Sequence, residues 1–198
     1  GSGSCSAGEM VADLILHPLT PVALPRGMRV RVRRRDGVLA LAFHVEGEPA
    51  GLRLPASGPL RRGDRLWEHT CGEVFIAGPD GGAYHEVNLA PSGAWAAYRF
   101  RGYRERAGEV DADVVRQLAV RRAAGHLILE ATVSLDDLLG AEAPAVLQLG
   151  LAAVIEAADG TLSYWALRHP PGPPDFHHRD AFALRLASPG AACEGRGP

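Results

Sequence analysis

LWEHTCGEVFIAGPDGGAYHEVNLAPSGAWAAYRFRGYR, Leu66 to Arg104, decides the fold class. It reads as three strands of an antiparallel meander, Cys71–Ala77, Tyr84–Leu89 and Trp95–Arg101. Pro79-Asp80-Gly81-Gly82 turns the first strand into the second. Ala90-Pro91-Ser92-Gly93 turns the second into the third, with Pro and Gly where a type I turn favours them. Side chains alternate across a strand. The alternation, together with apolar character, sorts Val74, Ile76, Val87, Leu89, Tyr98 and Phe100, with His85, onto a core face. Glu73, Phe75, Tyr84, Glu86, Asn88, Trp95 and Arg99 fall on the other face. A solvated sheet face is ordinarily polar. This one mixes aromatics with carboxylates, an amide and a guanidinium, the set that a small polar ligand needs.

Upstream, Leu14-Ile15-Leu16 before His17-Pro18 predicts a short edge strand, with Pro21 and Pro25 breaking the segment after it. Met28, Val30 and Val32 alternate with Arg29, Arg31 and Arg33, and Asp36-Gly37 signals a hairpin into Leu39, Leu41, Phe43 and Val45. The run Arg33-Arg34-Arg35 reads as a solvated strand end rather than a phosphate site. A short strand is expected over Ala50–Leu54 and a loop over Pro55–Asp64. Downstream, residues 105–113 are loop-like, and 114–122 fit helix or strand equally. Leu127, Leu129, Ala131 and Val133 mark another strand. Ser134-Leu135-Asp136-Asp137 resembles an acidic capping box opening one helical turn. Val146–Glu156 is a long strand, and Asp159-Gly160 turns it into Ser163–Leu167. His169–Asp175, HPPGPPD, cannot join a ladder. Ala181–Leu186 closes the series. Many short strands with one or two short helical turns predict an all-β, antiparallel two-sheet β-sandwich.

The chain has 198 residues, of which 46% are hydrophobic and 22% charged, so one domain is expected. Residues 10–187 are assigned to it, 1–9 to an added or disordered tail ahead of Met10, and 188–198 to a disordered tail. A net charge of −2 points to neither nucleic acid nor membrane as partner. All 21 basic residues are Arg, which removes Schiff-base and P-loop lysine chemistry. Cys5, Cys71 and Cys193 form no CxxC pair, which favours a reducing compartment. The opening GSGSCSAGE lacks the regions of a signal peptide, so the expected location is the cytoplasm, with a processed leader as the alternative. The oligomeric state stays open.

Three motifs, LWEHTCGEVF (Leu66–Phe75), YHEVNLAPSGAWAAYRF (Tyr84–Phe100) and SYWALRHPPGPPDFHHRDAFAL (Ser163–Leu184), give the chain a resemblance to DOMON-like domains of the branch related to family 9 carbohydrate-binding modules. Their order and spacing match over most of Met10–Leu186. The resemblance implies a two-sheet antiparallel sandwich that binds sugars in some branches and haem in others. Sugar-binding relatives clamp a terminal sugar between two tryptophans beside a strand carboxylate. Trp67 with Glu73 resembles the first clamp and its carboxylate, and Trp165 the second. Asn88 and Arg99 are placed as hydroxyl partners. The sequence departs from the branch at Gly72, where relatives usually carry a large aromatic.

The site expected on these grounds is Trp67, Glu73, Asn88, Arg99 and Trp165, with Tyr84, Glu86, Trp95, His169 and Asp180 as secondary candidates. Sugar C–H faces stack on indoles while charged groups bond the hydroxyls. The competing reading makes Trp67 and Trp165 core residues and Glu73–Arg99 a structural pair. No catalytic residue is expected, and function reads as non-catalytic binding of a small polar ligand, a saccharide above others. No cofactor is expected. A haem- or metal-binding redox domain is the alternative, with His177 and His178 as metal candidates, and His69 with Cys71 behind them. A third reading is an enzyme on a sugar-like substrate, built on Glu73 and Glu86.

Overall fold

Period-2 alternation organises nearly the whole molecule. The computed structural model describes residues 8–20, 25–140 and 143–191. Most of the expected tails, together with Cys5, Cys193 and Pro21, lies outside them. In chain order the strands are β1 (Glu9–Leu16), β2 (Gly27–Arg35), β3 (Val38–Glu46), β4 (Arg61–Arg62), β5 (Cys71–Ala77), β6 (Tyr84–Leu89), β7 (Ala94–Gly102), β8 (Glu105–Glu109), β9 (Val115–Ala123), β10 (His126–Ser134), β11 (Val146–Glu156), β12 (Leu162–Ala166) and β13 (Leu184–Ala187). The α-helix α1 (Leu135–Leu139) is capped by Ser134, whose Oγ accepts from the Asp137 N–H at 3.3 Å. Short 3₁₀ turns form at Pro49–Gly51, Leu66–Glu68 and Arg179–Ala181.

Hydrogen-bonded neighbours run β4-β7-β6-β5-β11-β12-β1-β2-β3-β10-β9, with β13 also on β11 and β8 also on β7. The protein is therefore all-β as expected, but the strands form one continuous, curled sheet where two were expected. The reason lies in β1. Its residues Glu9–Leu14 pair with β2, whereas Ile15 and Leu16 pair with Ala166 and Trp165 of β12. The predicted short edge strand is thus a longer strand in the interior of the sheet. The pairing is antiparallel except for β4, which lies parallel to β7 in the segment expected to be loop.

Curling brings two apolar faces together. Val30, Val32, Leu39, Leu41, Phe43, Val45 and Leu129 from one half meet Val74, Ile76, Val87, Leu89, Leu149, Leu151 and Ile155 from the other. Each such side chain contributes about 1.5–3 kcal/mol on burial. Gly72 sits in this interface, where an added Cβ would come within 3.1 Å of the Phe43 ring and 3.2 Å of Leu129. Phe43 reaches across from the facing half and fills the space that an aromatic at position 72 would need.

Local expectations fared unevenly. Asp36 and Gly37 take positive φ (50° and 71°) in a two-residue hairpin between β2 and β3. Residues 115–123 are strand, settling the ambiguous segment, and Glu105–Glu109 pairs with β7 where a loop was expected. Only Leu52 of the strand expected at 50–54 makes a bridge, to Ala157, because Pro49 opens a 3₁₀ turn. Arg34 is no solvated strand end: its guanidinium is buried, donating to the carbonyls of Pro144 (2.7 Å) and Ala145 (3.1 Å).

Candidate functional site

The outer face of the β5-β6-β7 half carries the second apolar cluster and the polar groups. Glu73, Phe75, Tyr84, Glu86 and Asn88 share it as expected, because Glu73 pairs with Asn88 and Phe75 with Glu86. The third strand is the correction. Leu89 pairs with Trp95, Glu86 with Tyr98, and Tyr84 with Phe100. Tyr98 and Phe100 therefore join the site face, while Trp95 and Arg99 turn to the opposite one. Both faces of β7 are apolar, so hydrophobicity could not choose between them; the turn fixes the register.

A loop covers this face. Pro170, Pro171, Pro173 and Pro174 keep the chain out of any ladder. Beyond them Phe182 stacks on Phe75 (5.7 Å between centroids, 28° between planes), and His177 meets Phe75 and Phe100 edge-on at 5.0 Å. Asp175 ties the loop down, accepting from Arg104 at 2.9 Å and from the Tyr103 hydroxyl. His177 Nδ1 lies 2.8 Å from the Tyr84 hydroxyl oxygen, which accepts from the Arg104 backbone N–H at 3.1 Å. His177 thereby orders the loop across the fold. Arg179 lies over Phe182, and Asp180 is exposed, its N–H bonded locally to His178 Nδ1.

Between loop and sheet remains a cavity of about 380 Å³. Trp67, raised on its 3₁₀ turn and 38% exposed, stands at it and meets the Tyr98 ring edge-on at 6.1 Å. Tyr164 and Phe176 add aromatic wall, and Glu73 and Glu86 present carboxyl groups from the sheet. These two are 3% and 5% exposed. Burial, then the charge of Glu86, pushes the Glu73 carboxyl well above its ordinary range. Burial lifts Glu86 to about 7. His177 is driven down to about 4 by burial and by Arg104, so its ring is neutral at neutral pH. The other ring nitrogen, His177 Nε2, lies 3.6 Å from Glu86 Oε2. Burial also raises the Tyr98 phenol to about 12. The cavity thus offers protonated and ionisable carboxyl groups beside flat apolar rings, suited to holding hydroxyl groups.

The structure brings Trp67, Glu73 and Glu86 to this cavity, with Asn88 and Tyr84 on the same face. Trp165 is not there. It is 4% exposed in the core, its Nε1–H donating to Ser163 Oγ at 3.0 Å, because alternation along β12 sends its neighbour Tyr164 to the site instead. Trp95 is also core, beneath the Arg62 guanidinium. Arg99 is exposed opposite His85, so Glu73 and Arg99 form no pair. His169 lies away from the cavity, its Nε2 bonded to the Ile15 carbonyl and its ring against His17. His178 sits by Tyr103 and does not converge with His177, and His69 pairs with Glu156 at 2.7 Å while Cys71 is buried. Among the described residues no group of three or more His, Cys, Asp or Glu side chains is arranged to hold a metal ion. Sequence reasoning missed Tyr98, Arg104, Arg106, Tyr164 and Phe176 as lining residues. Counting register through the Ala90–Gly93 turn would have found Tyr98.

Neither a family profile nor a curated protein sequence matches the chain. Solved structures do match in fold. A candidate carbohydrate-binding protein from Bacteroides uniformis superposes with a TM-score of 0.65 at 14% identity, over 90% of this chain and 86% of that one. A family 9 carbohydrate-binding module from Caldicellulosiruptor kristjanssonii, in complex with cellotriose, gives 0.53 at 10% identity, over 94% and 87%. A family 9 module from the same organism, in complex with glucose, gives 0.50 at 11%, over 88% and 83%. The fold is that of family 9 modules. No helix of the described residues is long and apolar enough to cross a membrane.

Proposed function

We propose that the protein is a non-catalytic saccharide-binding domain, DOMON-like in lineage and cytoplasmic, whose ligand lies in the cavity between β5-β6-β7 and the proline-rich loop. One observation carries the reading: an exposed indole and a phenol ring, Trp67 and Tyr98, wall the same cavity into which two buried carboxyl groups open. Stacking on the rings supplies apolar affinity, and the carboxyls select among hydroxyl patterns. The fold shared with carbohydrate-binding neighbours supports it. In this reading the curled sheet works as the sandwich of that lineage, one half bearing the site and the other backing it.

Calorimetric titration with monosaccharides and short oligosaccharides is the test. Millimolar or tighter binding, weakened in Trp67→Ala, is expected; no binding by any sugar ends the proposal. A second reading, an enzyme on a sugar-like substrate, draws on the same two carboxyls, one lifted to about 7 as a general acid requires. Turnover of aryl glycosides that disappears in Glu86→Gln would establish it in place of simple binding.

A further inference from the structure

The charges around the cavity do not balance locally. Both arginines that line it are engaged elsewhere. Arg104 is held by Asp175 at 2.9 Å, and Arg106 lies over the Tyr98 ring at 3.9 Å with Glu109 as its ion-pair partner at 3.6 Å. Among the described residues no arginine reaches ion-pair distance of Glu73 or Glu86. The nearest basic group is the His177 ring, 3.6 Å from Glu86 and neutral. Beside them, across the strand pair from Glu73, the Asn88 amide is fully buried with no partner at hydrogen-bond distance, yet it bears on Glu86 closely enough to lower that carboxyl's pKa. A buried amide left this way is costly, and so is a buried carboxylate without a cation.

A neutral sugar hydroxyl can bond a carboxyl, but it leaves the ionised form of Glu86 without a partner at ion-pair distance, eased only by the more distant charges of Arg104 and Arg106. An ammonium group meets both carboxyls at once: three donors and one positive charge against two acidic groups that line the cavity. The electron-rich faces of Trp67, Tyr164 and Phe176 around the same space favour a cation as well. We infer that, among saccharides, the cavity selects those bearing a protonated primary amine, with the ammonium lodged by Glu73 and Glu86 and the sugar ring against Trp67. This rests on the saccharide-binding reading and specifies its ligand class. Ligand binding draws the carboxyls toward their ionised form, so protons leave the protein as the amine enters.

The experiment is titration of the full chain at about pH 6.5 with glucosamine, glucose and N-acetylglucosamine. Glucosamine should bind about tenfold more tightly than glucose, about 1.4 kcal/mol, and N-acetylation should erase the gain. Heats measured in two buffers of different ionisation enthalpy should report proton release for glucosamine alone. In Glu73→Gln and in Glu86→Gln, measured separately in case one folds poorly, the ratio of glucosamine to glucose affinity should fall toward one. If glucose binds as well as glucosamine, the inference fails while saccharide binding stands. It fails in the same way if N-acetylglucosamine equals glucosamine, since charge then plays no part. If none of the three binds at millimolar concentration, both readings fall.

Discussion

Replacing Glu86 by Gln should make the protein more stable, and only at the alkaline end. The carboxyl is 5% exposed and lifted from the ordinary 4.5 to about 7, with burial as the main cause. A carboxyl raised in the folded state contributes its stability below the unfolded value of 4.5, and that stability is lost as pH rises through about 7. At about 1.4 kcal/mol per pKa unit, the loss is about 3 kcal/mol by about pH 8. Gln mimics the protonated acid in shape and cannot ionise, so the variant should exceed the parent by that amount at about pH 8 and match it at about pH 4. His177 acts in the opposite sense. Its value is depressed from 6.5 to about 4, so its contribution is present above 6.5 and lost as pH falls toward 4. Burial raises Glu73 as well, so in the parent both carboxyls lose stability as pH rises above about 4.5 and together outweigh His177. In the variant Glu73 alone opposes His177 over the shared window, which flattens the profile. Urea unfolding across this range measures both curves, and at the alkaline end the melting temperature should rise by roughly 6–12 °C. A Glu86→Gln variant displaced from the parent by a constant amount at every pH would refute the reasoning.

Trp67→Ala should cost about 1–3 kcal/mol of sugar affinity by titration while moving the melting temperature little, because the indole is exposed. Trp165→Ala should do the reverse, costing about 3–5 kcal/mol of folding stability in urea through a core cavity and the loss of its bond to Ser163. Gly72→Phe should fail to fold, and Phe43→Ala in the same chain should restore measurable cooperative unfolding, since the two positions compete for one space. Ser134→Ala should cost about 1 kcal/mol, read as a shifted urea midpoint, through loss of the helix cap.

Strands were legible where one face differed chemically from the other. β5 and β6 run over the residues expected of them, and their faces divide as alternation demands. β7 was legible as a strand and illegible as a surface. Ala96, Tyr98 and Phe100 lie against the loop and Trp95 and Ala97 against the core, so both sides are apolar and only register separates them. The same ambiguity hid the exchange of Tyr164 for Trp165, adjacent aromatics of which one must point each way. β1 defeated the reading for a different cause: its change of partner between Leu14 and Ile15 depends on residues about 150 positions away. Glu73 and Glu86 fall on the face expected of them because strand alternation alone sets carboxylates among aromatics there, while their burial was not legible. The arginines at the cavity come from β8 and its turn, a segment whose polar composition resembles loop.

The partner exchange along β1 also sets a timetable. Leu16 pairs with Trp165, so the seam between the halves cannot close until β12 has been synthesised. At about 5–20 residues per second, roughly 8–30 s separate the appearance of the two strands at the ribosome. Throughout that interval β1 can bind β2 through its first six residues, while Ile15 and Leu16 hold open backbone groups. The nascent chain is therefore obliged to carry an unsealed edge from the emergence of β1 to that of β12, and whatever shields that edge governs the yield of folded protein.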